Sequence, residues 1–175
     1  REIKHTPQNP THLLYTDAAG NGGGASTLFT LFAEGGDPAL SRVDTVKISE
    51  RDLKALGKTN DIHALETFTM VSALYKYRRI LKNGRIIAFI DNDPSNSALL
   101  NSRGVTRQLR ELSGLFWNVS ASHNIGIWLE RAPSDSNPAD APSRGRKTFC
   151  KAEREGSLPG IEEIQSAARK CFKIR

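Results

Sequence analysis

The stretch Ile86-Ile87-Ala88-Phe89-Ile90-Asp91-Asn92 constrains this chain more than any other. Its apolar residues fill both alternating sets, so it reads as a strand inside a sheet, buried on both faces with helices on each side. It then ends abruptly in a carboxylate. A charge at the tip of such a strand is poorly solvated unless a metal ion or a basic partner meets it. Asp91 also has a plainer use. Asp91-Asn92-Asp93-Pro94 makes a good strand-to-helix turn in which Asp91 would cap the helix. Chemistry at Asp91 therefore depends on other carboxylates reaching the same place.

The order of elements around that strand follows from hydrophobic period and turn signals. Residues 1–11 read as a polar tail. His12 to Asp17 alternates as a strand with Leu13, Tyr15 and Asp17 on one face. Gly20 and Gly22-Gly23-Gly24 make a turn, and Ala25 to Ala33 returns as a hairpin partner. Val43 to Ile48 is a third strand, more exposed, completing an antiparallel meander. One helical turn is expected at Arg51 to Leu56. From Asp61, a plausible N-cap, Ile62, Leu65, Phe68, Ser72 and Tyr75 recur at helical spacing, so a helix is expected from Ile62 to Leu81, stopped by Asn83-Gly84. A short helix over Pro94 to Ser102 closes at Gly104. Val105 to Ser120 is a second amphipathic helix, and Asn124 to Leu129 a fifth strand. A proline-rich segment from Arg131 to Arg144 holds a short helix around Pro138 to Ala141. Residues 148–175 form a charged extension with a helix expected from Ile161 to Phe172, either packed on the domain or serving as a linker.

A meander followed by strand–helix crossovers gives a mixed α/β sheet with helices on its faces. Right-handed crossovers place the fourth strand beside the first and parallel to it. Asp17 and Asp91 then sit on adjacent central strands, able to face one another. A chain of 175 residues suffices for one such domain, here residues 12–147.

Two further carboxylates can join them. Glu66 lies in the second turn of the long helix between the core-facing Leu65 and Phe68, although a flank position snorkelling to water is the ordinary place for a glutamate there. Asp140 lies in Asn137-Pro138-Ala139-Asp140-Ala141-Pro142-Ser143-Arg144, where it would also suit a helix N-terminus. Carboxylates converging without basic residues between them stay ionised together only around divalent cations. Mg²⁺ or Mn²⁺ accepts such oxygen ligands, and two ions about 4 Å apart activate a water and stabilise the leaving oxygen of a phosphodiester.

These pieces together resemble a ribonuclease H domain of the retroelement reverse-transcriptase type, within the ribonuclease H-like superfamily. The resemblance runs from about Leu13 to Arg144. It rests on Tyr15-Thr16-Asp17-Ala18-Ala19-Gly20, Ile62-His63-Ala64-Leu65-Glu66, Phe89-Ile90-Asp91-Asn92 and, most tellingly, Asn137-Pro138-Ala139-Asp140-Ala141-Pro142-Ser143-Arg144. It implies the five-stranded order 3-2-1-4-5, an acid set of Asp17, Glu66, Asp91 and Asp140, two Mg²⁺ (or Mn²⁺) ions, and cleavage of the RNA strand of an RNA–DNA hybrid. It also implies an adjoining reverse transcriptase domain as a partner. Asn92 is expected to meet the ribose 2′-OH, which tells RNA from DNA. Two features depart from the family pattern. Some relatives carry a histidine on the loop before the final aspartate, and Arg131 to Pro138 has none. No basic insertion stands between the helices either; Arg103, Arg107 and Arg110 are the candidate phosphate contacts instead. Arg144, Arg146 and Lys147 could hold a phosphate near the metals. Tyr77, Arg78, Arg79 and Arg85 form a second basic cluster, with a solvated face as the plainer reading of all these cations.

Other functions are disfavoured. The formal net charge of +6 is compatible with a polyanionic partner without requiring one. No apolar run approaches the roughly 20 residues of a membrane span, so no membrane partner is expected. The chain starts at Arg1 without a secretory pattern, as expected of an excised domain, and its 2 cysteines, Cys150 and Cys171, form no ligand cluster with the histidines. An intracellular, cytoplasmic or nuclear, location follows from these features and the expected substrate. Gly22-Gly23-Gly24 does not precede a helix, against nucleotide binding, and Ser143 and His123 lack a nucleophile elbow. Trp117 and Trp128 read as core residues. The rival that keeps the fold is an inactive nucleic-acid-binding or structural module. Proofreading exonucleases and transposases on this fold fit worse: Ala19 stands where the first wants a glutamate, and Asp140 where the second does.

Overall fold

The computed structural model describes residues 11–20, 26–37, 40–56, 61–140 and 158–172. The strands are β1 (Thr11–Gly20), β2 (Ser26–Ala33), β3 (Ser41–Lys47), β4 (Arg85–Ile90) and β5 (Gly126–Arg131). They form one sheet in the order β3-β2-β1-β4-β5. The three N-terminal strands pair antiparallel, and β4 pairs parallel with β1 and with β5. The antiparallel meander and the parallel crossovers thus produce the expected order.

The helices are α1 (Glu50–Ala55), α2 (Ile62–Tyr77), α3 (Asp93–Asn101), α4 (Arg107–His123) and α5 (Ile161–Phe172). They pack with one another and with one face of the sheet. Leu14, Leu28, Phe32, Ile86, Ala88 and Ile90 from the strands meet Phe68, Val71, Leu74, Leu112 and Phe116 from the helices in a single core. On the opposite face Tyr15, Phe29, Leu31 and Val43 pack with Ala139, where the chain enters a further helical position at Asp140. Among the described residues, that turn is the support for helices on the second face.

Helix α2 runs through the middle of this layer. From Ala64 to Tyr75 every residue is buried, so α2 is enclosed on all sides. Its start is as expected, with the Asp61 side chain accepting from the His63 amide at 3.0 Å. Its end comes four residues earlier than the apolar period suggests. The chain turns after Tyr77, with Ile80 and Leu81 donating back to the Tyr77 carbonyl at 2.9 and 3.0 Å and Gly84 to that of Leu81 at 2.8 Å. Leu81 is fully buried, but by a tight turn rather than a helix, and the period cannot tell these apart.

Three other expectations need correction. β4 is buried on one face only, through Ile86, Ala88 and Ile90; Ile87 and Phe89 are half-buried. Trp128 is not a core residue. It stands on β5, an edge strand, and is 67% exposed, because an edge strand can direct an apolar side chain to solvent without breaking the sheet. Trp117 does join the core, its indole donating to the Leu99 carbonyl at 2.8 Å. Helix α3 closes at Ser102, in the left-handed region at φ 51°, not at Gly104. Gly104 answers a different need: a Cβ there would lie 2.2 Å from that of Leu109, so only glycine lets the loop pass the first turn of α4.

The C-terminal extension is helical over Ile161–Phe172 and docks on the domain. Ile161 and Ile164 enter the core beside α2 and α4. The Asp52 carboxylate of α1 accepts from the Ile161 amide at 2.8 Å, Ser72 donates to the Pro159 carbonyl at 3.0 Å, and Arg51 pairs with Glu162. No helix among the described residues is long and apolar enough to cross a membrane.

Candidate active site

The register of β1 and β4 brings two acids side by side. Leu13 pairs with Ile87 and Tyr15 with Phe89, their rings stacked 4.4 Å apart. Two residues further along stand Asp17, still on β1, and Asp91, one residue past the end of β4. Side chains repeat every second residue and adjacent parallel strands lie about 4.8 Å apart, so both carboxylates leave the same side of the sheet end. Glu66 arrives from the second turn of α2, carried inward because that helix is buried on all sides. One oxygen from each of Asp17, Glu66 and Asp91 lies within 4.8 Å of the others.

The electrostatics of this cluster are unfavourable without a cation. Glu66 is 5% exposed. Burial, then the charges of Asp91 and Asp17, push its carboxyl up to about 9 from 4.5; a hydrogen bond from Asn92 opposes this, and one with Asp91 adds to it. Among the described residues, the groups acting on Glu66 are Asp91, Asp17 and Asn92, none of them a cation. Glu66 Oε2 and Asp91 Oδ1 are buried and have no hydrogen-bond donor among the described residues. Buried acceptors rarely stay unsatisfied. An all-oxygen donor set with two such orphaned oxygens fits a hard divalent cation, Mg²⁺ or Mn²⁺, better than thiol- or imidazole-seeking metals.

The helix cap next to the cluster is Asn92, not Asp91. The Asn92 side-chain oxygen accepts from the Ser95 amide at 3.0 Å and from the Ser95 hydroxyl at 3.0 Å. The backbone donor settles which end of the amide is oxygen. The contact of His63 Nδ1 with that oxygen, 2.9 Å, then requires the proton on Nδ1. Asn92 thus starts α3 with its oxygen and bonds Glu66 with its nitrogen, which leaves Asp91 uncommitted to capping. His63 was not singled out from sequence; its signal is the spacing from Glu66, three residues along the same helix.

The segment after β5 also converges here. Ser134 donates to Asp91 Oδ2 at 3.1 Å. Asn137 donates to the carbonyl of Thr16, the residue before Asp17, at 3.1 Å, and accepts from the Ala139 amide at 3.0 Å. Asp140 follows, its amide bonded to the Asn137 carbonyl at 3.0 Å. Asp140 itself stands outside the set of three mutually close acids. Asn137 belongs to the motif that carries the resemblance, but no contact is expected of it from sequence, and Ser134 lies outside that motif. A serine and an asparagine in a proline-rich loop carry no periodic signal, and only the folded chain brings them to β1 and β4.

The basic candidates lie on the surface. Arg103 and Arg107 are exposed, and Arg107 pairs with Glu111 at 2.7 Å. Arg110 donates to the carbonyls of Gly104 and Val105, bracing the loop before α4. The second cluster loses a member: Tyr77 is buried, its hydroxyl donating to Asp44 at 2.5 Å, and Arg78 stacks over the Tyr75 ring. Arg144, Arg146 and Lys147 lie outside the described residues.

No protein-family model and no curated protein sequence matches the chain. Solved structures do. An RNase H1 from the halophilic archaeon Halobacterium salinarum NRC-1 is similar with a TM-score of 0.53 at 13% identity, over 74% of this chain and 90% of that one. LC11-RNase H1, isolated from compost by a metagenomic approach, gives 0.59 at 13% identity, over 90% of this chain and 98% of that one. The same LC11 enzyme in complex with an RNA/DNA hybrid gives 0.58 at 11% identity, over 72% of this chain and 88% of that one. At such identities the likeness is one of fold, and the five-stranded mixed sheet in the order 3-2-1-4-5 with its packed helices is the ribonuclease H fold.

Proposed function

We propose that the protein is a metal-dependent endonuclease that cleaves the RNA strand of RNA–DNA hybrids, of the type found beside reverse transcriptases in retroelements. The observation that carries this reading is the meeting of Asp17, Glu66 and Asp91 within 4.8 Å, with two buried oxygens that no donor satisfies. A similar fold that binds an RNA/DNA hybrid adds support, as do the four sequence pieces described above.

In this reading Asp17, Glu66 and Asp91 hold the cations, and Asp140 joins them from the turn that Asn137 ties to β1. Two Mg²⁺ or Mn²⁺ ions supply charge stabilisation for an in-line displacement at phosphorus and lower the pKa of the attacking water. The Asn92 hydrogen bond favours the ionised, ligating form of Glu66 against its burial and acidic neighbours, and Asn92 turns its remaining amide hydrogen to the ribose 2′-OH. Arg103, Arg107 and Arg144 contact phosphates and give affinity without sequence preference. The partners are the hybrid and an adjoining reverse transcriptase domain, which together imply an intracellular site of action.

A second reading, an inactive hybrid-binding module, draws on one observation: Asp140 stands outside the three-acid set. The discriminating experiment incubates the protein with labelled RNA–DNA hybrid and MgCl₂ or MnCl₂, with and without EDTA, beside Asp91→Asn. Cleavage confined to the wild type with metal is expected. Equal inertness of wild type and variant would remove the enzymatic reading and leave the binding module.

A further inference from the structure

We propose that Ser134 is a positioning residue, which orients the Asp91 carboxylate for metal binding and fastens the loop that carries Asp140 to β4. The proposal rests on the metal-dependent reading above. Asp91 lies one residue past the end of β4, so no ladder bond holds it. The last backbone tie between the strands there is the Ala132 amide donating to the Ile90 carbonyl at 3.1 Å. Beyond it the carboxylate has to be oriented by its own contacts.

Its two oxygens have different surroundings. One accepts from the Ser134 hydroxyl at 3.1 Å, the other is buried with no donor among the described residues, and one of the pair belongs to the acid cluster. Rotating the carboxylate plane would break the Ser134 bond. The hydroxyl therefore holds one oxygen outward and presents the other to the cation. Hydrogen bonds of this kind to ligating carboxylates set the geometry of metal sites and their affinity.

The same loop makes a matching bond on the other strand, from Asn137 to the Thr16 carbonyl beside Asp17. The segment from Ser134 to Asn137 thus spans the ends of β4 and β1 with one side-chain bond to each. Asp140 follows three residues later, its amide bonded to the Asn137 carbonyl. The loop that carries a histidine in some relatives has a different job here: it clasps the two acid-bearing strands and delivers the fourth acid.

The test uses the full chain and reads metal binding separately from cleavage. Melting temperature is followed while MgCl₂, and then MnCl₂, is titrated into the wild type, Ser134→Ala and Ser134→Thr, and hybrid cleavage is measured over the same concentrations. Ser134→Ala is expected to raise the half-saturating metal concentration about tenfold, the lower end for a lost outer partner, because Ser134 is exposed. Its metal-free melting temperature should match the wild type, and Ser134→Thr should restore the wild-type titration. An unchanged metal titration in Ser134→Ala, beside a wild type that responds to metal, overturns the positioning role alone. A lower metal-free melting temperature with unchanged metal dependence also overturns it, since the bond would then be merely structural. A wild type that neither binds metal nor cleaves hybrid removes the proposed function, and this role with it.

Discussion

Asp44 and Glu66 are both buried acids in contact with α2, at 3% and 5% exposure, and their surroundings are opposite. Asp44, on β3, accepts from Lys76 Nζ at 2.6 Å, from the Tyr77 hydroxyl at 2.5 Å and from Thr30 Oγ1 at 3.4 Å. A cation and two hydroxyls compensate its loss of water. Glu66, two to three turns earlier on the same helix, has two carboxylates for neighbours and an oxygen without a donor. The chain can solve the problem of a buried acid internally, and at Asp44 it does. Where it leaves the problem open, the missing charge has to come from outside.

This contrast sets the size of what should happen when either site is altered. The largest effect is expected at the open site: Asp91→Asn, or EDTA added to the wild type, should lower hybrid cleavage by about a thousandfold or more. Circular dichroism should show the fold unchanged. The closed site should behave in the converse way. Asp44→Ala leaves Lys76 and Tyr77 as donors without their acceptor and should cost about 2–3 kcal/mol of stability by denaturant melts. Its metal concentration dependence should stay that of the wild type, and a shift would mean that the two sites are coupled.

A pH effect should follow from Glu66 in the metal-free protein. Its carboxyl lies at about 9 when folded, against an ordinary value of 4.5. Between those values the folded state holds a proton that the unfolded chain releases, so stability is fullest below 4.5 and declines as pH rises towards 9. Melting temperature without metal should fall over that window. Glu66→Gln should flatten the profile and stabilise the metal-free protein at pH 8, and saturating Mg²⁺ should flatten it for the wild type alone. The smallest effect is expected from Tyr77→Phe, which removes one of three donors to Asp44. It should cost about 1 kcal/mol in a denaturant melt and leave cleavage unchanged.

How much of this was legible beforehand depended on whether a signal is local or arises only from packing. Strand order and the pairing of Asp17 with Asp91 could be read because alternation, turns and crossover handedness are properties of short stretches. Glu66 could be nominated but not settled. Its burial comes from α2 being enclosed by β1, α3, α4 and α5, which the period of α2 alone does not reveal. The capping role went to the neighbour, Asn92, because a strand end and a helix start one residue apart look alike in sequence. Trp128 misled for a related reason: an apolar alternation is the same on an edge strand as on a central one. Ser134, Asn137 and His63 act through contacts with residues 29 to 121 positions away, and although His63 and Asn137 lie within the quoted motifs, only packing reveals those contacts.

The Asp52 side chain has a practical consequence. It accepts from the Ser49 hydroxyl at 2.6 Å at the start of α1 and from the Ile161 amide at the start of α5. Gly160 passes so close that a Cβ would stand 2.9 Å from that carboxylate. Trimming the polypeptide before residue 158 to obtain a shorter fragment would strip Ile161 and Ile164 from the side of α2, the helix that supplies Glu66. Such a fragment should expose greasy surface and lose solubility, so expression work should retain the segment through Phe172.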